Sequence, residues 1–253
     1  VPFHMWTPDV YQGAPTPVTG FLATVSKGAV FVALARIYMD AELHQYESLI
    51  LALSVLAAFS MLIGNLLALL QEDIKRLLAY SSIAHFGYLL IVLIALTGSE
   101  MASEAVTFYL AAYILTTLGA FTVIARVSRE DQQKSQISEF EGLFWRNKIQ
   151  ATALTIAMLS FAGIPLTAGF MAKFFVINVA IQGSHWFLLS ALVIGSAIGI
   201  YYYLRIIFSM SKTSGNDIGF RDRSGDITAL LLTVLILMLG SWPQPFIAFA
   251  GGL

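Results

Sequence analysis

Seven long stretches poor in charge constrain this chain before anything else, at positions 18–38, 48–71, 77–97, 105–125, 149–182, 186–204 and 227–242. A helix rises 1.5 Å per residue, so about twenty residues match a hydrocarbon core of roughly 30 Å, and each stretch is long enough to cross. Composition agrees: 58% of the 253 residues are hydrophobic and 11% charged, against roughly 25% charged in an ordinary soluble domain. With a mean hydropathy of +0.78, the chain has too much apolar surface for one water-soluble core, and a soluble enzyme is excluded. The expected fold is all-α, a polytopic transmembrane bundle of about seven spans. Absence of cysteine removes disulfides, iron-sulfur ligation and thiolate chemistry together. The chain starts at Val1 with no signal segment ahead of the first span, and is expected to begin inside a longer protein.

The fifth stretch is too long for one straight crossing. Near its middle lies Gly163-Ile164-Pro165-Leu166-Thr167-Ala168-Gly169, where proline lacks a donor and glycine tolerates unusual backbone angles. That pattern predicts a broken helix; a simple proline kink is the other reading. Basic residues set orientation, because translocated short loops are poor in Lys and Arg. Lys75 and Arg76, then Arg126, Arg129, Lys134, Arg146 and Lys148, then Arg205, Lys212, Arg221 and Arg223 fall in alternate loops, eleven of fourteen on one side. The intervening loops carry Asp40, Glu42, Glu47, Glu100 and Glu104. The basic side is expected to be cytoplasmic, with the C-terminus opposite and the amphipathic segment 129–147 along the cytoplasmic surface.

Three basic residues remain within spans. Arg36 lies near the end of its helix and is expected to snorkel to the interface. Lys27 and Lys173 are deeper: Lys27 lies nine residues from Val18 and nine from Arg36, roughly 14 Å along the axis from either. A charged lysine at that depth costs roughly 2.5 to 3.5 kcal/mol on insertion scales, so it needs a partner or a task. Desolvation disfavours an ammonium ion, which makes a buried lysine a plausible proton carrier. The alternative is a permanent ion pair in the bundle core, but every Asp and Glu lies outside the spans, so a countercharge would come from a missing segment or a neighbouring subunit. His85, eight residues into its span, titrates in the useful range; it fits a proton relay between the lysines and equally a neutral side chain hydrogen-bonded across helices. Ser26, Ser54, Ser60, Asn65, Thr116, Thr117 and Asn178 read as helix-bonding groups, and Gly195 and Gly199 as a small-residue pair for close packing. No spacing suggests a metal site, a phosphate loop or a haem site.

The opening string Val1 to Val18, VPFHMWTPDVYQGAPTPV, resembles a motif of the subunit N family of bacterial NADH:quinone oxidoreductase, respiratory complex I. The resemblance continues through Phe21 to Lys27, Asp73 to Ile83 and Gly163 to Phe174, and covers essentially this whole chain but only the later half of the family. It implies an antiporter-like fold with inverted five-helix repeats, each with a broken helix. Residues 1–47 would close the first repeat, 48–211 would form the second, and 212–253 a cytoplasmic loop and a final span. It also implies that Lys27 is the central-axis lysine of the first half and Lys173 the lysine of the second broken helix, with proton storage and transfer as their roles. The implied cofactors, NADH, flavin, iron-sulfur clusters and quinone, belong to other subunits, and none to this chain. Implied partners are the other membrane subunits, the lipid bilayer and protons, with no nucleic acid, in a bacterial inner membrane. The rival functions are a cation/proton antiporter or membrane-bound hydrogenase subunit of the same superfamily, and a passive membrane scaffold.

Overall fold

The computed structural model describes residues 1–2, 4–97, 101–130, 135–212 and 224–250, and all regular structure among them is helical apart from one isolated bridge between Asp73 and Gln136. A short helix α1 (Trp6–Gly13) stops at Pro15, and α2 (Thr16–Phe21) runs through a π turn (Leu22–Ser26) into α3 (Lys27–Asp40). Two long helices follow, α4 (Glu47–Leu69) and α5 (Ile74–Ile94). Beyond them lie α6 (Met101–Glu130) and a surface turn, α7 (Leu143–Arg146). The chain continues as α8 (Lys148–Ala162), α9 (Ala168–Gln182), α10 (Trp186–Ser211), α11 (Ser224–Ser241) and α12 (Gln244–Ala250). Among the described residues, five helical stretches are long and apolar enough to cross a membrane, 16–40, 47–69, 74–94, 101–128 and 186–211. Helices α8, α9 and α11 are apolar but shorter; α8 with α9 as one crossing and α11 as another would give the seven spans expected.

The break between α8 and α9 is real. Gly163 takes a left-handed φ of 82° and closes α8, its N–H bonding to Leu159 O, and Pro165 then prevents helical continuation until Thr167. At the other end of α8 the Asn147 side chain accepts from the N–H groups of Ile149 and Gln150 at 3.0 and 3.2 Å.

Helix α5 is the axis of the bundle, buried along nearly its whole length. Glycines bring α4 close against it: a Cβ at Gly64 would lie 2.9 Å from Ala84 N, and one at Gly87 would lie 2.8 Å from Ala57 O. Helix α10 packs on α4 and α8 and also meets α5; α6 and α9 meet α5 directly, and α11 packs on α6, α8 and α9.

The basic residues gather at one end of the bundle. Asp73 caps α5, accepting from Lys75 N and Arg76 N at 2.9 and 3.0 Å. Arg76 ties α5 to α1 through Asp9 at 2.5 Å and Gln12 at 3.0 Å, and Arg205 on α10 donates to the carbonyls of Leu69 and Gln71. The surface segment lies across this end, with Ile74 N bonded to Ser135 O and Ile137 N to Glu72 O. Lys75 departs from its reading as a loop lysine: it belongs to the first turn of α5, is 2% exposed, and donates to Ala14 O at 3.1 Å, because α1 folds over it. Lys134, Arg221, Arg223 and Glu100, together with the side chain of Arg129, lie outside the described residues.

Candidate functional site

The candidate site lies beside α5, where Ser81 and Ser82 stand four and three residues before His85 and so lie on its side of the helix. Lys27 reaches this face from α3. The π turn ends immediately before it, and its ammonium donates to Ser82 Oγ while lying 5.1 Å from the centre of the Tyr11 ring. Its side chain points inward, yet Lys27 as a whole is half-buried, because the π turn and α3 leave Val25, Val30, Val32 and Ile37 exposed in this chain. Arg36 is exposed near the end of α3, as expected.

His85 is held on both ring nitrogens. Nδ1 is 2.7 Å from Tyr109 Oη and Nε2 is 3.4 Å from Tyr203 Oη, and Tyr203 in turn shares a hydrogen bond with Ser81. The rings of Tyr88, Tyr113 and Phe161 surround it at 5.4 to 5.5 Å between centroids. Two small cavities of about 10 Å³ each meet at this imidazole, each room for about one water. One is shared with Lys27, Ser82 and Tyr113; the other with Tyr109, Thr116, Ser160 and Ala172. In the second, Thr116 and Ser160 share a hydrogen bond of 2.8 Å, and Ser160 also accepts from Gly169 N across the break.

Lys173 projects from α9 into the break and is 8% exposed. Its ammonium donates to Phe161 O and Ala162 O, both at 3.0 Å, and lies 5.5 Å from the centre of the Tyr88 ring. Those carbonyls are the last of α8, where a helix leaves acceptors without intrahelical partners and carries partial negative charge. A broken helix therefore supplies at mid-bundle what a carboxylate would otherwise supply. These acceptors are backbone atoms and so escape a search for a countercharge among side chains; their signal in the sequence is Gly163 with Pro165, which end α8 and free the carbonyls of Phe161 and Ala162.

The structure thus brings Lys27, His85 and Lys173 into one row, with Phe161 and Tyr88 touching both His85 and Lys173. Tyr11, Ser82, Tyr109, Ser160 and Tyr203 belong to the same site and were not singled out from sequence. Of the polar residues read as helix-bonding groups, Thr116 and Asn65 do bond across helices, whereas Ser54 and Asn178 bond back to their own helices. Among the described residues no three His, Asp or Glu side chains are grouped as metal ligands.

A family model described as NADH:quinone oxidoreductase/Mrp antiporter, TM matches residues 1–199. The NADH-quinone oxidoreductase subunit N of Methylococcus capsulatus is 50% identical over 252 residues, covering 98% of this chain and 51% of that protein. A chain of respiratory complex I from Thermus thermophilus with bound aureothin superposes with a TM-score of 0.84 at 35% identity, covering 98% of this chain and 54% of that one. A chain of the membrane-bound sulfane sulfur reductase, an archaeal respiratory membrane complex, superposes with a TM-score of 0.88 at 28% identity, over 99% and 51%. The chain spans about half the length of these relatives.

Proposed function

The chain belongs to the NADH:quinone oxidoreductase/Mrp antiporter transmembrane family, and on that footing we propose that it is the later half of a membrane-arm subunit that carries protons across the membrane through Lys27, His85 and Lys173. The observation that supports this most is the placement of His85 between two water-sized cavities, one shared with Lys27 and one with the segment around Lys173. An imidazole accepts a proton at one nitrogen and releases it at the other, so it connects two sites that do not touch. Ser82 and a water in the first cavity would link it to Lys27, and Ser160, Thr116 and a water would extend the second.

Energy for net movement would come from other subunits of a respiratory complex, where NADH, flavin, iron-sulfur clusters and quinone carry the electrons. A change of charge in a neighbouring subunit would alter how readily each lysine holds its proton, and protons would leave toward the end opposite the basic residues. In this reading the basic end faces the bacterial cytoplasm, the C-terminus is periplasmic, residues 1–47 complete one repeat and 48–211 form the next.

The test compares the full-length subunit with its Lys27→Ala variant in assembled complex, measuring NADH-driven proton uptake into inverted membrane vesicles. Loss of uptake at equal assembled complex and equal NADH oxidation is expected. Full uptake would leave Lys27 as a scaffold residue and sink its place on the route.

A further inference from the structure

Asn65 stands apart from the row of ionisable groups, on α4, yet it is joined to both ends of the His85 to Lys173 step. It is 2% exposed, and its amide is used by three helices. Nδ2 donates to Tyr88 Oη on α5 at 3.2 Å and to Met61 O on its own helix at 2.6 Å, while Oδ1 accepts from Tyr202 Oη on α10 at 2.8 Å. A primary amide suits this position because it offers two donors and an acceptor in one rigid plane without charge. The small residues opposite make room for it: a Cβ at Gly195 would lie 2.9 Å from Asn65 Nδ2, and one at Gly199 would lie 3.3 Å from Oδ1.

Each tyrosine that Asn65 holds leads into the site. The Tyr88 ring faces the Lys173 ammonium at 5.5 Å and sits 5.4 Å from the imidazole of His85. Tyr202 packs on Tyr203 with ring centroids 4.4 Å apart, and Tyr203 reaches His85 Nε2. A cation is attracted to a ring only over its face, so a rotated Tyr88 would forfeit the contact. Likewise a shifted Tyr203 would release His85 Nε2 and leave only Nδ1 held, by Tyr109, which removes one of the two bonds that set the tautomer of the ring.

We propose that Asn65 is a positioning residue for proton transfer between His85 and Lys173, fixing through one amide the tyrosine face under the lysine and the tyrosine hydroxyl on the histidine. This rests on the proton-carrying reading of those two residues.

The experiment uses the full-length subunit in assembled complex, with Asn65→Leu, Asn65→Asp and Lys173→Ala compared in inverted vesicles for complex content, NADH oxidation and NADH-driven proton uptake. Leucine keeps the branched outline and removes both polar ends; aspartate keeps the outline and the acceptor for Tyr202, and as the neutral acid also a donor for Tyr88. Asn65→Leu is expected to assemble and to lower the rate of proton uptake at equal NADH oxidation by at least about fivefold, the equivalent in rate of just one of the buried hydrogen bonds it loses. Asn65→Asp should recover most of it, which a residue that merely fills space would not require. If leucine lowers complex content, the double variant Tyr88→Phe with Tyr202→Phe removes only the hydroxyls that Asn65 holds, and the same loss of uptake is expected. Wild-type uptake in the assembling variant overturns the proposal while impaired Lys173→Ala leaves the route standing. Wild-type uptake in Lys173→Ala brings down the route itself.

Discussion

Replacing Gly163 with alanine acts on the break in α8–α9 and on Lys173 at once. A residue with a Cβ pays roughly 1–2 kcal/mol to occupy the left-handed region, and Gly163 sits at φ 82°. The new Cβ would lie 2.9 Å from Lys173 Cδ, 3.3 Å from Nζ and 3.4 Å from Cε, so the lysine side chain must move. Its ammonium is fixed by two carbonyls at 3.0 Å, and giving up one charged hydrogen bond costs roughly 1.5–3 kcal/mol. The sum, about 2.5 to 5 kcal/mol, is a penalty of roughly two to nearly four orders of magnitude on the present position of Lys173. The assay is NADH-driven proton uptake by inverted vesicles holding equal amounts of assembled complex. Gly13→Ala serves as the control, since nothing lies within 4 Å of a Cβ there. Uptake should collapse for Gly163→Ala and hold for Gly13→Ala. Wild-type uptake by Gly163→Ala, at normal complex content, would show that the α8 carbonyls do not hold Lys173 in the working protein.

Lys173→Ala should leave an assembled complex with lowered proton uptake, measured in the same vesicles, and unchanged uptake would remove this lysine from the mechanism. Gly87→Ala should act on the fold instead, because its Cβ would press on Ala57 O at 2.8 Å and Met61 Cγ at 2.7 Å where α4 and α5 meet. Overpacking of that kind costs about 1–3 kcal/mol, so the content of assembled complex on native gels should fall; undiminished content would contradict the close α4–α5 contact. Lys212→Cys, whose lost surface ion pair with Glu141 is worth at most about 1 kcal/mol, should react with a membrane-impermeant maleimide only from the cytoplasmic side. Reaction from outside would invert the assigned orientation.

The crossings, the break and the two lysines were legible because each rests on local chemistry. Uncharged length marks a span, Gly163 with Pro165 marks a discontinuity, and a lysine far from both ends of its run announces itself. What remained hidden depended on contacts between distant segments. Lys75 looked like a loop residue because it stands next to Arg76, and only the fold of α1 over α5 buries it against Ala14 O. The carbonyls that receive Lys173 are backbone atoms, which no residue letter displays. Asn65 was one of several polar residues in apolar runs, and its role depends on Tyr88 and Tyr202, which lie 23 and 137 positions away. His85 was equally readable as a relay or as a satisfied neutral ring. The hydrogen bonds to Tyr109 and Tyr203 satisfy both nitrogens, and the same hydroxyls would serve a relay.

The π turn at Leu22–Ser26 gives its span two phases rather than one. A turn that holds an extra residue advances everything after it by one residue's rotation, about 100° in a helix of 3.6 residues per turn. The apolar stripe defined by α2 therefore does not continue into α3, and a helical wheel drawn through 16–40 as a single helix would aim Lys27 in the wrong direction. The span is better pictured as two short screws joined with a fixed offset: the upstream one set by its packing on α6, the downstream one turned so that a lysine meets Ser82. Substitutions on either side of Leu22–Ser26 answer to different neighbours, although they lie on one continuous helix.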